Sequence, residues 1–185
     1  MIEQIRKCQK CNLCLNQKPL LDSEKECLVF WVGLSAKKAL SSSTTPLSPE
    51  TNTGMLIQKI EEMCAGVTTY KTNLVKCLPL TEQQKIRYPN KIEIDCCFEN
   101  LVDEIHAMSP QIVFLMGEKV SSAVSRHFNI RFDQWGEFDY HYKEYDGIYF
   151  VPIHHPSYIY VYKRRKIDQY VSSIKRIIDN LLQYY

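Results

Sequence analysis

Leu28-Val29-Phe30-Trp31-Val32-Gly33 is an unbroken apolar run of β-branched and aromatic residues, closed by a glycine. A short run of this kind, without polar alternation, predicts a strand covered on both faces, as in a parallel sheet. Two later stretches share its character: Ile112-Val113-Phe114-Leu115-Met116 before Gly117, and Tyr149-Phe150-Val151 leading to Ile153. Tyr70-Lys71-Thr72-Asn73-Leu74-Val75-Lys76-Cys77 is a fourth candidate. Helical spacing lies between and after these runs. It is carried by Met55, Leu56, Ile60 and Met63 after Thr53-Gly54, and by Ile94, Phe98, Leu101, Ile105 and Met108. It returns over 118–127 and in a long carboxyl-terminal stretch from Ile167 to Leu181. Residues 2–8 predict a short helix, and 130–148 a hairpin or strand pair. Strands alternating with helices predict a three-layer α/β/α sandwich with a central, mostly parallel four-stranded sheet.

The chain of 185 residues is read as one domain, 1–185. No apolar run approaches the ~18–20 residues needed to span a bilayer. Met1-Ile2-Glu3-Gln4-Ile5-Arg6 lacks a signal-peptide pattern, so a cytoplasmic monomer is the expectation, with no membrane partner. The net charge of +2 does not by itself imply nucleic acid, and local distribution decides. Twelve tyrosines, several beside basic residues, supply groups able to stack bases and hold phosphates.

Eight cysteines without a secretion signal argue against a disulfide framework. Cys8-Gln9-Lys10-Cys11 is a C-x-x-C, with Cys14 close by. Cys77 ends the second strand, and Cys97 sits early in the next helix beside Cys96. One C-x-x-C plus two isolated thiols suits a four-thiolate site for zinc or an iron–sulfur cluster. The alternative is a set of small buried apolar side chains.

Ile153-His154-His155-Pro156-Ser157-Tyr158 follows the last strand and precedes Lys163-Arg164-Arg165-Lys166. In open α/β sheets ligands bind at the carboxyl ends of strands, which here would gather Gly33, Asn73 and His155 along one edge. The proline and serine predict a tight turn after His155. The long Ser- and Thr-rich loop over 35–53 predicts a functional or a disordered segment.

Together these motifs resemble the iron–sulfur branch of the uracil-DNA glycosylase superfamily, families 4 and 5. The resemblance runs through Cys8-Gln9-Lys10-Cys11-Asn12-Leu13, Val32-Gly33-Leu34-Ser35-Ala36 and Thr45-Pro46-Leu47. It continues through Thr53-Gly54-Met55-Leu56, Thr72-Asn73-Leu74-Val75-Lys76-Cys77, the helix bearing Cys97, and His155-Pro156-Ser157. It implies a DNA glycosylase that flips out a pyrimidine and leaves an abasic site, with DNA, duplex or single-stranded, as partner. Cys8, Cys11, Cys77 and Cys97 would hold a [4Fe-4S] cluster, with zinc the alternative. Cys14, Cys27, Cys64 and Cys96 have no such counterpart. Asn73 would read the base edge and His155 would stabilise charge. Gly33, Leu34, Ser35 and Leu47 would line the base pocket. Ser157, Tyr158 and the run Lys163, Arg164, Arg165, Lys166 would contact DNA.

Two departures carry an expectation of their own. Leu34 stands where family 4 has a glutamate, and the following proline is absent. Leu47 stands where the family has a stacking phenylalanine. With Ser35, Ser41, Ser42 and Ser43 nearby, these imply a roomier pocket for a modified pyrimidine, such as a modified cytosine of phage DNA, which leaves an antiviral role open beside DNA repair. The competing readings are an iron–sulfur DNA-binding or damage-recognition module without turnover, and a zinc-stabilised domain that binds a protein.

Overall fold

The computed structural model describes residues 1–41 and 43–182. Ser42, one of the serines expected near the pocket, lies outside the described residues. Strands β1 (Val29–Ser35), β2 (Thr69–Val75), β3 (Ile112–Met116) and β5 (Ile148–Ile153) are parallel, and β4 (Lys143–Tyr145) adds an antiparallel edge. The order across the sheet is β2-β1-β3-β5-β4.

The apolar run that opens the reading explains the layers. Alternate residues point to opposite faces of a strand. Phe30 and Val32 join one core with Leu101, Ile105, Val120 and Val124 from helices α3 (Lys91–Met108) and α4 (Glu118–Phe128). Val29 and Trp31 join the other with Leu56, Ile57 and Ile60 of α2 (Asn52–Met63) and Tyr170, Ile174 and Ile178 of α6 (Ile167–Leu182). The short helices α1 (Ile2–Arg6) and α5 (Pro156–Tyr162) pack on the first and second face respectively. Both sheet faces are covered, which is the expected three-layer sandwich.

Three local differences from expectation have physical causes. The sheet has five strands, not four. Asp146 and Gly147, at φ 52° and 73°, turn β4 back along β5, and two consecutive left-handed residues make the tight hairpin turn that matches strand twist. The rest of that stretch, 130–142, forms neither helix nor strand. On α2 the buried face is Leu56, Ile57 and Ile60, whereas Met55 and Met63 are exposed. After His155 the chain forms not an irregular turn but helix α5, because Pro156 at its first position needs no N–H partner.

α3 begins with a reciprocal cap: Asn90 accepts from the Glu93 N–H, and Glu93 accepts from the Asn90 N–H. α2 begins where Thr51 accepts from the Gly54 N–H at 3.0 Å. Both caps stand beside the site described next.

Candidate active site

The carboxyl ends of β1, β2 and β5 open into one cleft of about 800 Å³. Its walls are the loop after β1, the start of α2, Asn73 of β2, residues 86–88, and α5 with His155. Leu34, Ser35, Leu47, Asn73 and His155 line it, and so do Ser157 and Tyr158, which were expected to contact DNA. Gly33 forms part of the framework behind: a Cβ there would stand 2.5 Å from Asn73 Oδ1 and 2.9 Å from Leu47 Cδ2. Gly33 pairs with Asn73 across β1 and β2, so the strand register itself brings the two together.

Asn73 is only 3% exposed. Among the described residues no group hydrogen-bonds its side-chain amide. Buried polar side chains normally find partners, so a free donor and acceptor at the cleft wall is suited to a ligand. Its backbone carbonyl is held instead by Lys76 Nζ at 2.6 Å. Lys76 Nζ also pairs with Glu104 Oε2 at 2.5 Å, with side chains 1% and 0% exposed. Thr72 Oγ1 and Tyr70 OH donate to the same carboxylate at 2.9 and 3.0 Å. A fully buried charge pair is costly unless further hydrogen bonds complete it, and here they do.

Leu47 adopts φ 53°, a left-handed conformation uncommon for a leucine. The carbonyls of Leu47 and Ser48 press against Gly54, where a Cβ would stand 2.4 and 2.0 Å from them. Only glycine at 54 allows the loop to lie this close to α2. Thr53, beside it, is buried at the cleft with a hydroxyl that has no partner.

His155 caps α5 with its own ring. Nδ1 accepts the Ser157 N–H at 3.2 Å, and Ser157 Oγ stands 2.8 Å from the same nitrogen. A backbone N–H can only donate, so Nδ1 carries the lone pair and the ring proton sits on Nε2. Burial, with Lys37 as a smaller cause, lowers the ring pKa to about 4. The imidazole is therefore neutral at pH 7. His154 plays another part. Its Nδ1 pairs with Tyr140 OH at 2.8 Å, and the rings of Trp135, Phe138 and Tyr158 surround it. It does not line the cleft.

Residue 34 is a leucine, and the only carboxylate lining the cleft among the described residues is Glu50, exposed and bonded by Ser48 Oγ at 3.2 Å. The basic run does not line the cleft. Lys163 and Lys166 both pair with Glu137, at 3.1 and 2.5 Å, Arg164 lies over the Tyr160 ring, and Arg165 is exposed. The cleft cations are instead Lys37, Lys38 and Arg87. Ile86, Tyr88, Val161 and Tyr162 were not anticipated there. The i, i+3, i+4 spacing of Tyr158, Val161 and Tyr162 was a usable signal for a helix face; nothing in the sequence marked Ile86 and Tyr88.

A second pocket gathers thiols. Cys8, Cys11, Cys77 and Cys97 line it, and so do Cys14 and Cys96, both classed as bystanders from sequence. All are unpaired thiols. Leu13 and Val75 supply apolar walls. Asn100 Nδ2 donates to Cys8 Sγ at 3.5 Å and Cys97 Sγ at 3.7 Å, and the Lys76 N–H to Cys97 Sγ at 3.5 Å. Burial first, and then the neighbouring thiols, push Cys77 up to about 12. Thiolates crowded in an apolar pocket need compensating positive charge, and N–H···S bonds are what tunes a bound cluster. Among the described residues no three ligating side chains are placed to hold one metal ion. A single zinc needs every sulfur within about 2.3 Å of one point, whereas in a cluster each thiolate meets its own iron. Four thiols, two of them accepting N–H donors, suit a thiolate-bound cluster, with zinc as the alternative.

A family model described as the uracil DNA glycosylase superfamily matches residues 16–178. A type-4 uracil-DNA glycosylase of Archaeoglobus fulgidus is 24% identical, covering 96% of this chain and 89% of that protein. One from Saccharolobus solfataricus is also 24% identical, over 73% of this chain and 62% of its own length. A crystal structure of wild-type Pedobacter heparinus SMUG2 shares the fold, with TM-score 0.56, 11% identity, and coverage of 84% of this chain and 76% of that one.

Proposed function

The chain belongs to the uracil-DNA glycosylase superfamily, and we propose that it is a monofunctional DNA glycosylase that excises uracil, or a bulkier pyrimidine, from a flipped nucleotide. The observation that carries this reading is the pairing of a neutral His155, its Nε2 proton free of Ser157, with the partnerless amide of Asn73 across one cleft.

A base in a duplex must leave the stack before its glycosidic bond is reachable, at a cost of roughly a few kcal/mol. Asn73 would then donate to and accept from the base edge, replacing pairing lost in the duplex. As the C1′–N1 bond breaks, its electron pair goes to the base, and negative charge grows on the base oxygens. The His155 Nε2–H would donate to that charge from a preorganised position. Water then bonds through its oxygen to C1′ and gives up a proton, which neutralises the departing base anion, leaving an abasic site and a free base. With Leu34 in place of an acid, leaving-group stabilisation by His155 carries most of the acceleration.

Cys8, Cys11, Cys77 and Cys97 would hold a [4Fe-4S] cluster whose contribution is structural, tying the amino-terminal segment to the end of β2 and the start of α3. The finer proposal concerns the base. Leu47 offers less ring surface than a phenylalanine, and Ser35, Ser48 and Thr53 bring hydroxyls to the same wall. This supports a pyrimidine enlarged by a polar group, as in modified phage DNA. Arg164 and Arg165 would reach flanking phosphates, and Lys163 and Lys166 only on leaving Glu137.

The test is a panel of oligonucleotides and phage genomic DNAs carrying uracil, cytosine and modified cytosines, scored for released base and alkali-labile sites. Release of uracil alone removes the modified-base reading. Binding without release of any base identifies a recognition module instead.

A further inference from the structure

Half of the exposed large apolar side chains described in this protein stand around one opening. Of twelve, six line the active-site cleft: Leu40, Ile86, Tyr88, Tyr158, Val161 and Tyr162. Four belong to the loop after β1 and to α5, the side already expected to meet DNA. Ile86 and Tyr88 belong to another element, the connection between β2 and α3. They are 61% and 71% exposed.

That connection is a braced hairpin. Leu80 and Ile86 form an antiparallel bridge, and the Thr81 N–H donates to the Lys85 carbonyl at 2.8 Å. Arg87 fixes it to the body of the protein. Its Nε donates to the Leu80 carbonyl at 2.9 Å, and its two terminal nitrogens fork onto Glu93 at 2.8 and 2.5 Å. Glu93 is also the capping residue of α3. Lys119 Nζ stands 5.0 Å from the centre of the Tyr88 ring. The hairpin backbone is thus tied to the body of the protein while Ile86 and Tyr88 stay in water.

The charge beside them fits a polyanion. Lys85 and Lys91 have no ion-pair partner among the described residues, and Lys37 and Lys38 across the cleft have none either. Arg87 is neutralised by Glu93 and serves as the brace. The run at Lys163–Lys166, by contrast, lies off the cleft, and Lys163 and Lys166 share the single carboxylate of Glu137.

We propose that the Leu80–Ile86 hairpin with Tyr88 is a second DNA-contacting jaw, facing α5 across the cleft. Ile86 presses on the strand that carries the flipped nucleotide, and Tyr88 stacks on a base beside it, with Lys85 and Lys91 near its phosphates. Aromatic side chains stack on any base, so this jaw grips without reading sequence. The proposal rests on the glycosylase reading only for the identity of the cleft.

The test measures binding apart from turnover. A fluorescent duplex carrying one 2′-fluoro-2′-deoxyuridine keeps its glycosidic bond, because the fluorine disfavours positive charge on the sugar. Its Kd is compared for the wild-type chain, Ile86→Ala, Tyr88→Ala and Tyr88→Phe, with thermal melting of each. Each alanine variant is expected to weaken binding about ten-fold, while Tyr88→Phe keeps the ring and the affinity. Melting should be unchanged, since both side chains are largely in water. Alanine variants within about two-fold of wild type, or a Tyr88→Phe loss as large as that of Tyr88→Ala, would overturn the proposal. A wild-type chain that binds through this jaw but releases no base would sink the glycosylase reading and leave the jaw standing.

Discussion

The backbone N–H of Ser157 donates to Nδ1 of His155 across 3.2 Å, and that bond leaves the proton of the neutral ring on Nε2. A histidine whose Nδ1 must accept carries its proton on Nε2. Burial holds the ring neutral, and in the proposed reaction the Nε2–H would donate to a base oxygen that gains charge. The first prediction follows from the pH at which that ring charges. An unperturbed histidine titrates near 6.5, and His155 near 4. Base release should not change through pH 6.5 on account of His155, and should fall only near pH 4. Stability runs the same way. Below 6.5 the unfolded chain takes a proton that folded His155 refuses, so this group's contribution is present above 6.5 and lost as pH falls through about 4. Rate–pH profiles and denaturant melts from pH 4 to 8 check both.

Gly33→Ala should damage the site without unfolding the sheet. The added Cβ meets Asn73 Oδ1 and Leu47 Cδ2, so the amide must turn away from the base. A loss of about 10–100-fold in kcat/KM is expected from one displaced polar contact in a closed site. Kinetics with circular dichroism as a folding control measure it.

Leu47→Phe should shift base preference. A ring there would regain about 1–3 kcal/mol of stacking on a plain pyrimidine while narrowing the cleft. Uracil release should rise and release of a bulkier modified base should fall. Competition between the two substrates in one tube gives the ratio directly.

Glu104→Ala should cost about 3–5 kcal/mol of stability, because it leaves Lys76 charged and unpaired in the core. Glu104→Leu combined with Lys76→Met should recover only part of it, because the buried hydroxyls of Tyr70 and Thr72 lose their acceptor. The double variant also frees the Asn73 carbonyl, so stability should return before activity does. Urea melts and excision assays on the same samples separate the two.

Cys77→Ser or Cys97→Ser should abolish bound iron and acid-labile sulfide, while Cys14→Ser and Cys96→Ser should retain both. Metal and sulfide analysis distinguishes this from zinc, which would appear without sulfide.

The sheet was legible because its strands are buried on both faces, so Leu28–Val32 and Ile112–Met116 read as continuous apolar runs. β4 was only half legible, as a two-sided polar edge strand of three residues has no apolar pattern. α5 was hidden by its own start: His-Pro-Ser reads as a turn, but Pro156 at the first helical position and the ring of His155 as a cap start a helix. That Asn73 and His155 meet at one cleft, and that Cys8, Cys11, Cys77 and Cys97 gather in one pocket, was legible from residue type and strand position. The mouth was not. Ile86 and Tyr88 become visible only once Arg87 and Glu93 are seen to hold the hairpin open to water. Charge in the sequence also misdirected, since Lys163 and Lys166 look free until Glu137 is placed between them.

The central claim is that a neutral His155 in this cleft drives release of a flipped pyrimidine. The most direct measurement is single-turnover base release from a uracil-containing duplex by wild-type protein and His155→Ala at saturating enzyme, with Kd measured on the same samples. The predicted result is release by the wild type, slowed about 10²–10³-fold in His155→Ala with little change in Kd. Release by His155→Ala at the wild-type rate would contradict it.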